Sequence, residues 1–142
     1  METGAANHGS GMLAMAIEQL AEVIRQDYQH FPHNQSYDIY ADDVYFKDPL
    51  TEFRGIDAYK RNIAFIRRWF GNPLLELHSL ETSGDRILTR WTLTWTTPLP
   101  WKPRVSIPGS SELGVSSHGL IQSHIDYWDC SKWDVVKQHF PR

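Results

Sequence analysis

Apolar residues recur at three- and four-residue steps over residues 12–31, where Leu13, Ile17, Leu20, Ile24, Tyr28 and Phe31 form one stripe. Glu18, Glu22, Arg25 and Gln26 fall on the other faces, which predicts an amphipathic helix packed on something apolar. Pro32 cannot continue that helix and marks its end. A second helix is predicted from Gly55, with Ile56, Tyr59, Ile63, Ile66 and Phe70 inward and Gly71-Asn-Pro73 as its stop. Between the two, 36–41 reads as a short helix or turn carrying Tyr37 and Tyr40. Residues 44–48 read as a short strand closed by Pro49.

From residue 74 onward the pattern changes to alternation. Segments 74–82 and 86–96 flank Ser83-Gly-Asp85, a hairpin signal. In the second of them Ile87, Thr89, Trp91, Leu93 and Trp95 share one face, and Leu88, Arg90, Thr92 and Thr94 the other. That describes a sheet with a strongly aromatic inner face. Pro98, Pro100 and Pro103 stiffen a loop around Trp101, whose indole is either an exposed anchor or a lid over the core. Residues 104–107 and 111–115 read as one strand interrupted by a bulge or bend at Pro108-Gly109. In the last strand His124, Asp126 and Trp128 share a face, while Ile121, Ile125 and Tyr127 look the other way. Ser131, with Asp134 three residues later, predicts a capped closing helix with Trp133, Val136 and Phe140 inward. Helices segregated from an antiparallel run of strands mean an α+β fold. A long sheet of this kind twists and bends, with the helices on its concave side, to give a cone with an apolar throat.

Composition adds limits. The 142 residues suffice for one core, and we read a single domain over 12–142. The small, polar, Gly-rich stretch 1–11 reads as a disordered lead or an added remnant and lacks the pattern of a secretory signal. Aromatic residues make up 13% of the chain, including six Trp, which suits a thick core or an aromatic-lined cavity. A net charge of −3 argues against nucleic acid as partner. Lys60, Arg61, Arg67 and Arg68 read as a solvated helix face rather than a membrane or nucleic-acid patch. A single Cys130 allows neither an internal disulfide nor a Cys-based zinc site, so a reducing, cytoplasmic setting is expected. No stretch is apolar for long enough to span a membrane. His30-Phe-Pro-His33 is broken by Pro32, so no metal and no cofactor are expected.

The candidate chemistry sits on the last strand. His124 and Asp126 are either a satisfied polar ladder, bonded to each other and to groups such as Thr92 and Thr94, or an acid/base pair in a cavity. Trp91, Trp95 and Trp128 would hold a flat or hydrophobic ligand, with Tyr37, Tyr40 and Phe46 around it. Tyr37, Tyr40 or Tyr45 could supply a hydroxyl to a developing oxyanion. Asp48 is either a turn cap or a second cavity carboxylate.

Tyr40-Ala-Asp-Asp-Val-Tyr-Phe-Lys-Asp-Pro49, then Phe53-Arg-Gly-Ile-Asp-Ala58, and Gly119-Leu-Ile with His124, Asp126 and Asp129 resemble the nuclear transport factor 2-like superfamily, especially its SnoaL-like branch. More narrowly, Tyr37-Asp-Ile-Tyr-Ala-Asp-Asp, Asp48-Pro-Leu-Thr and His124-Ile-Asp-Tyr-Trp-Asp129 are similar to an uncharacterised family from cyanobacteria and plants, which would also admit a plastid location. The resemblance implies the cone fold and, commonly, a homodimer through the outer sheet face. It leaves function open, because the fold hosts isomerases, cyclases, hydrolases, adaptors and binders. In SnoaL-like cyclases a carboxylate in the cone acts as acid/base with a His nearby, and Asp126 and His124 match those positions. The expected function is binding of a small hydrophobic or aromatic ligand. The alternatives are an isomerase- or cyclase-type enzyme using Asp126 with His124, and a non-catalytic adaptor with a closed throat.

Overall fold

The amphipathic first segment forms helix α1 (Glu2–His30) in the computed structural model, which describes residues 2–141, with side chains from Ala16 to Pro141. Leu13 and the lead 1–11 therefore lie outside the described side chains, although α1 itself starts ahead of residue 12. Ile17, Leu20, Ala21 and Ile24 are buried against Ile87, Leu113, Val115 and Ile121 of the sheet, as the stripe demands. After α1 the chain is turn rather than helix. The buried Asp27 carboxylate holds it by accepting the Ser36 N–H (3.1 Å) and Oγ–H (2.9 Å). Burial pushes that carboxyl above its usual range, and the Ser36 bonds oppose the shift.

The strands follow as β1 (Tyr40–Lys47), β2 (Glu52–Arg54), β3 (Gly71–Ser83), β4 (Arg86–Thr96), β5 (Arg104–Val115) and β6 (Ile121–Trp128). Helix α2 (Ile56–Trp69) lies between β2 and β3, and α3 (Lys132–Gln138) closes the chain. Among the described residues these form one open six-stranded sheet in the order β2-β1-β6-β5-β4-β3. The sheet is mixed rather than wholly antiparallel, because β1 and β6 run parallel. No hairpin joins those two strands, so no tight turn sets their relative direction. The three-residue β2, unforeseen in the sequence, turns back on β1 through Asp48. Its Oδ1 accepts the Leu50 and Thr51 N–H groups, both at 2.7 Å, so Asp48 is a turn cap.

The alternation on β4 holds. Ile87, Thr89, Trp91 and Trp95 are buried on the inner face, and Gly84 (φ +60°) makes the tight turn before them. β5 departs from expectation, since it runs through Pro108-Gly109 without a bulge, in step with β4 (Thr92 opposite Pro108, Trp91 opposite Gly109). The irregularity lies on β6 instead. Ser123 pairs with Gly114 and Ile121 with Val115, which leaves Gln122 as the extra residue. That extra residue turns Ile121 inward to full burial, where simple alternation had it facing out.

The capping box on α3 is present. Ser131 Oγ accepts from Asp134 N–H and Asp134 Oδ2 from Ser131 N–H, each at 3.0 Å. The helix is rotated relative to the expected face. Val135 is buried, while Trp133 (64% exposed), Val136 and Phe140 (61%) point outward. Gln138 sets the rotation, accepting the Ser106 N–H (2.7 Å) and donating to the Ser106 carbonyl (3.0 Å) at the start of β5. Trp101 is neither lid nor free anchor. Its Nε1–H donates to the His139 carbonyl (2.6 Å) and its ring neighbours that of Phe140, so it straps the end of α3. No described helix is long and apolar enough to cross a membrane.

Candidate functional site

Strand register assembles the site as rows across the inner face of β4, β5 and β6. One row places Ile87, Leu113 and His124 opposite one another, with Phe46 of β1 beside His124. The next is polar: Thr89, Ser111 and Asp126. The third is Trp91, Gly109 and Trp128. A Cβ on Gly109 would lie 2.6 Å from Trp91 Cη2 and 2.5 Å from the Tyr127 carbonyl oxygen, so the missing side chain is the seat of the Trp91 indole. A row of Leu93 and Ile107 and another of Trp95 and Val105 continue the wall.

The polar row is wired in one direction. Trp91 Nε1–H can only donate, and it does so to Ser111 Oγ at 2.8 Å. That leaves the single Ser111 proton for Asp126 Oδ1, at 2.6 Å. His124 Nε2 meets the same oxygen at 2.7 Å. His124 is only 14% exposed and its Nδ1 is buried without a partner. Asp126 is 31% exposed, and its Oδ2 takes no hydrogen bond from the described residues. The polar partner of the pair is thus Ser111 rather than the Thr92–Thr94 face, whose hydroxyls engage His78 (2.7 Å) and Ser106 (3.3 Å) elsewhere.

These rows line a cavity of about 410 Å³ between the sheet and α2, with a recess of about 90 Å³ reaching in toward α1. Phe46, Trp91, Trp95, Trp128, His124 and Asp126 all line the larger space, and Asp48 lies at its margin. Tyr40 reaches only the recess. Tyr37 lines neither. It stands edge-on to Tyr59 (5.7 Å) with the Lys60 ammonium over its ring (5.4 Å). Tyr45 is likewise away from the cavity, beneath the Arg54 guanidinium.

Several lining residues escaped the sequence reading as site residues. Ser111 sits mid-strand with no local mark. Tyr28 ends the buried stripe of α1 with a polar tip, which is the one signal that could have found it. Its hydroxyl bonds Thr89 Oγ1 at 2.9 Å, and burial, aided by the nearby Asp126 charge, pushes its pKa up to about 12. Tyr59 stacks on Phe46 (4.2 Å), and Phe70 stacks on Trp95 (4.6 Å). Burial also raises the Tyr40 and Tyr59 hydroxyls above the usual range. An aromatic-walled hollow with one ordered polar row can hold an apolar molecule and orient its polar end. Oδ2 of Asp126 is placed to accept a hydrogen bond or a proton.

Known folds agree with this geometry. An NTF2-like protein from Burkholderia thailandensis E264 superposes with a TM-score of 0.71 at 14% identity, covering 85% of this chain and 97% of that one. An LEH-like epoxide hydrolase of M. tuberculosis gives 0.65 at 18% identity, with 91% and 90% covered. A candidate SnoaL-like polyketide cyclase from Jannaschia sp. CCS1 gives 0.63 at 13% identity, with 76% and 83% covered. At such identities the likeness establishes the α+β cone of the NTF2-like, SnoaL-like class, and nothing of its chemistry. No curated protein matches the chain by sequence. The family model described as "Uncharacterized conserved protein (DUF2358)" matches residues 18–124, from α1 through His124. The chain therefore belongs to that uncharacterised conserved family, built on an NTF2-like cone.

Proposed function

We propose that the protein binds a small hydrophobic or aromatic molecule inside the cone. The observation that carries this is the open cavity of about 410 Å³, walled by Trp91, Trp95, Trp128, Phe46 and Tyr59, with His124 and Asp126 on its lining. Its volume falls in the range of about 300–1,000 Å³ usual for small-molecule sites. An adaptor with a closed throat fits this geometry less well. The test is titration with the neutral dye Nile red, followed by its fluorescence. One dye per chain is expected, and Leu93→Trp, which fills the cavity from its wall, should abolish the signal while the fold persists by circular dichroism. Equal dye binding by Leu93→Trp would place the dye elsewhere and end the proposal.

Acid/base catalysis of the isomerase or cyclase type is the second reading, and the free Oδ2 of Asp126 favours it. Asp126 would carry the proton and His124 would orient it. Exchange of the α-hydrogens of 2-tetralone in D2O, followed by NMR, measures this directly. The protein should accelerate exchange and Asp126→Asn should lose about 10²–10⁴-fold. No acceleration over buffer would exclude carbon-acid chemistry on such ketones. A homodimer would pair through the outer sheet face, where Leu74, Leu88 and Tyr127 are exposed. Sedimentation velocity on the protein and on Leu88→Glu tests that pairing. A cytoplasmic setting remains part of this proposal.

A further inference from the structure

The polar side of the cavity has committed the donors beside Asp126 and keeps an acceptor open for a guest. The donors beside Asp126 are already engaged: Trp91 Nε1–H on Ser111, the Ser111 hydroxyl on Asp126, and His124 Nε2 on Asp126. At the far wall Trp95 Nε1–H donates to Thr97 Oγ1 (3.0 Å), which also bonds His139 Nε2 (2.8 Å). What remains is Oδ2 of Asp126, unbonded among the described residues and on a residue that lines the cavity. His124 Nδ1, by contrast, is buried with no acceptor to donate to and is closed to a guest. A ring nitrogen in that position fits the tautomer with its hydrogen on Nε2, where Asp126 receives it, and leaves a lone pair on Nδ1.

Charge points the same way. The residues lining the cavity include one lysine, Lys47, which is exposed at the end of β1, and no arginine. The Asp126 carboxylate therefore faces the cavity without a fixed cation beside it, and a buried charge gains most from a partner that is both charged and hydrogen-bonding. The Trp91 and Trp128 rings that line the cavity with it attract cations as well as apolar groups. A carboxylate guest beside Asp126 would meet like charge.

We infer that the ligand is an apolar body carrying a protonated amine, whose N–H groups bond Asp126 Oδ2, and that carboxylate-headed molecules are refused. This rests on the cavity being a ligand site, as proposed above.

The experiment is calorimetric titration of four molecules sharing one body: 2-naphthylmethylamine, 2-naphthalenemethanol, 2-methylnaphthalene and 2-naphthoate. The amine should bind at least about tenfold tighter than the methyl compound, as expected for a charge-assisted hydrogen bond, and the naphthoate weaker than either. Asp126→Asn should remove the preference for the amine, so that the amine and the methyl compound bind alike. The wild-type ranking decides alone should that variant not fold. Equal affinities across the series, an alcohol that matches the amine, or a preferred naphthoate would overturn the head-group assignment and leave the apolar cavity standing. Failure of all four to bind would remove the cavity proposal and this one with it.

Discussion

Replacing Gly109 by alanine tests the seat of Trp91 most directly. Gly109 does not have positive φ, so alanine is conformationally acceptable there and the cost is purely steric. The new Cβ would meet the Tyr127 carbonyl oxygen at 2.5 Å, Trp91 Cη2 at 2.6 Å and Cζ2 at 2.9 Å. Tyr127 O belongs to the backbone of the neighbouring strand, so that strand must shift as well as the indole. Overpacking of this kind costs about 1–3 kcal/mol. Displacing the indole also strains or breaks its bond to Ser111 and leaves a buried N–H, worth about 1–3 kcal/mol more if lost outright. Together roughly 2–6 kcal/mol is expected, which lowers Tm by about 7–20 °C for a domain of this size. Gly84→Ala is the control. Its φ of +60° is unfavourable for alanine but nothing lies within 4 Å, so only the conformational cost of about 1 kcal/mol applies. Thermal and urea unfolding followed by tryptophan fluorescence give both numbers, and Gly109→Ala should also weaken Nile red binding. A Gly109→Ala protein that melts no lower than the Gly84→Ala control would refute the claim that the hole at Gly109 holds Trp91.

Alkaline pH should unfold the protein through its buried tyrosines. Tyr28 has its pKa raised from 10.0 to about 12, so the unfolded chain loses that proton first. Its contribution is intact below pH 10 and lost as pH rises through 12. Tyr28→Phe should therefore flatten urea-measured stability over that window, and an unchanged slope would contradict the assignment. Ser131→Ala removes the cap and should cost about 1 kcal/mol by urea unfolding. It should raise the Asp134 carboxyl only in part on NMR titration, because the main-chain N–H at 131, the larger cause of its lowering, remains when the hydroxyl is lost. Trp101→Ala should speed amide exchange at the end of α3 without changing Nile red affinity. A loss of affinity would make Trp101 part of the cavity after all.

Local chemistry was legible wherever one segment carried its own signal. The α1 stripe, the inner face of β4 and the Ser131–Asp134 box all depend on neighbours within a few residues, and all three form. The Asp48-Pro turn is of the same kind, with both of its bonds made within three residues. The misreadings share a different cause. Ile121 faces inward because of an extra residue at Gln122 that appears only when β6 is laid against β5. Trp133, Val136 and Phe140 face outward because a glutamine at 138 finds Ser106 of another strand. Tyr37 leaves the cavity because its ring is taken by Tyr59 and Lys60 on α2.

For the site, the amino-acid sequence by itself determined that His124, Asp126 and Trp128 share one strand face and that Trp91 and Trp95 share another, because side chains alternate wherever a strand forms. Only the tertiary structure decided that these faces meet. Ser111 joins Asp126 and Thr89 through the registers of β5 with β6 and β4, and Trp91 finds its place through a glycine on the next strand. Register follows from the sum of packing over the whole inner face and from hydrogen bonds between residues far apart in the chain, and no local window of sequence contains that sum.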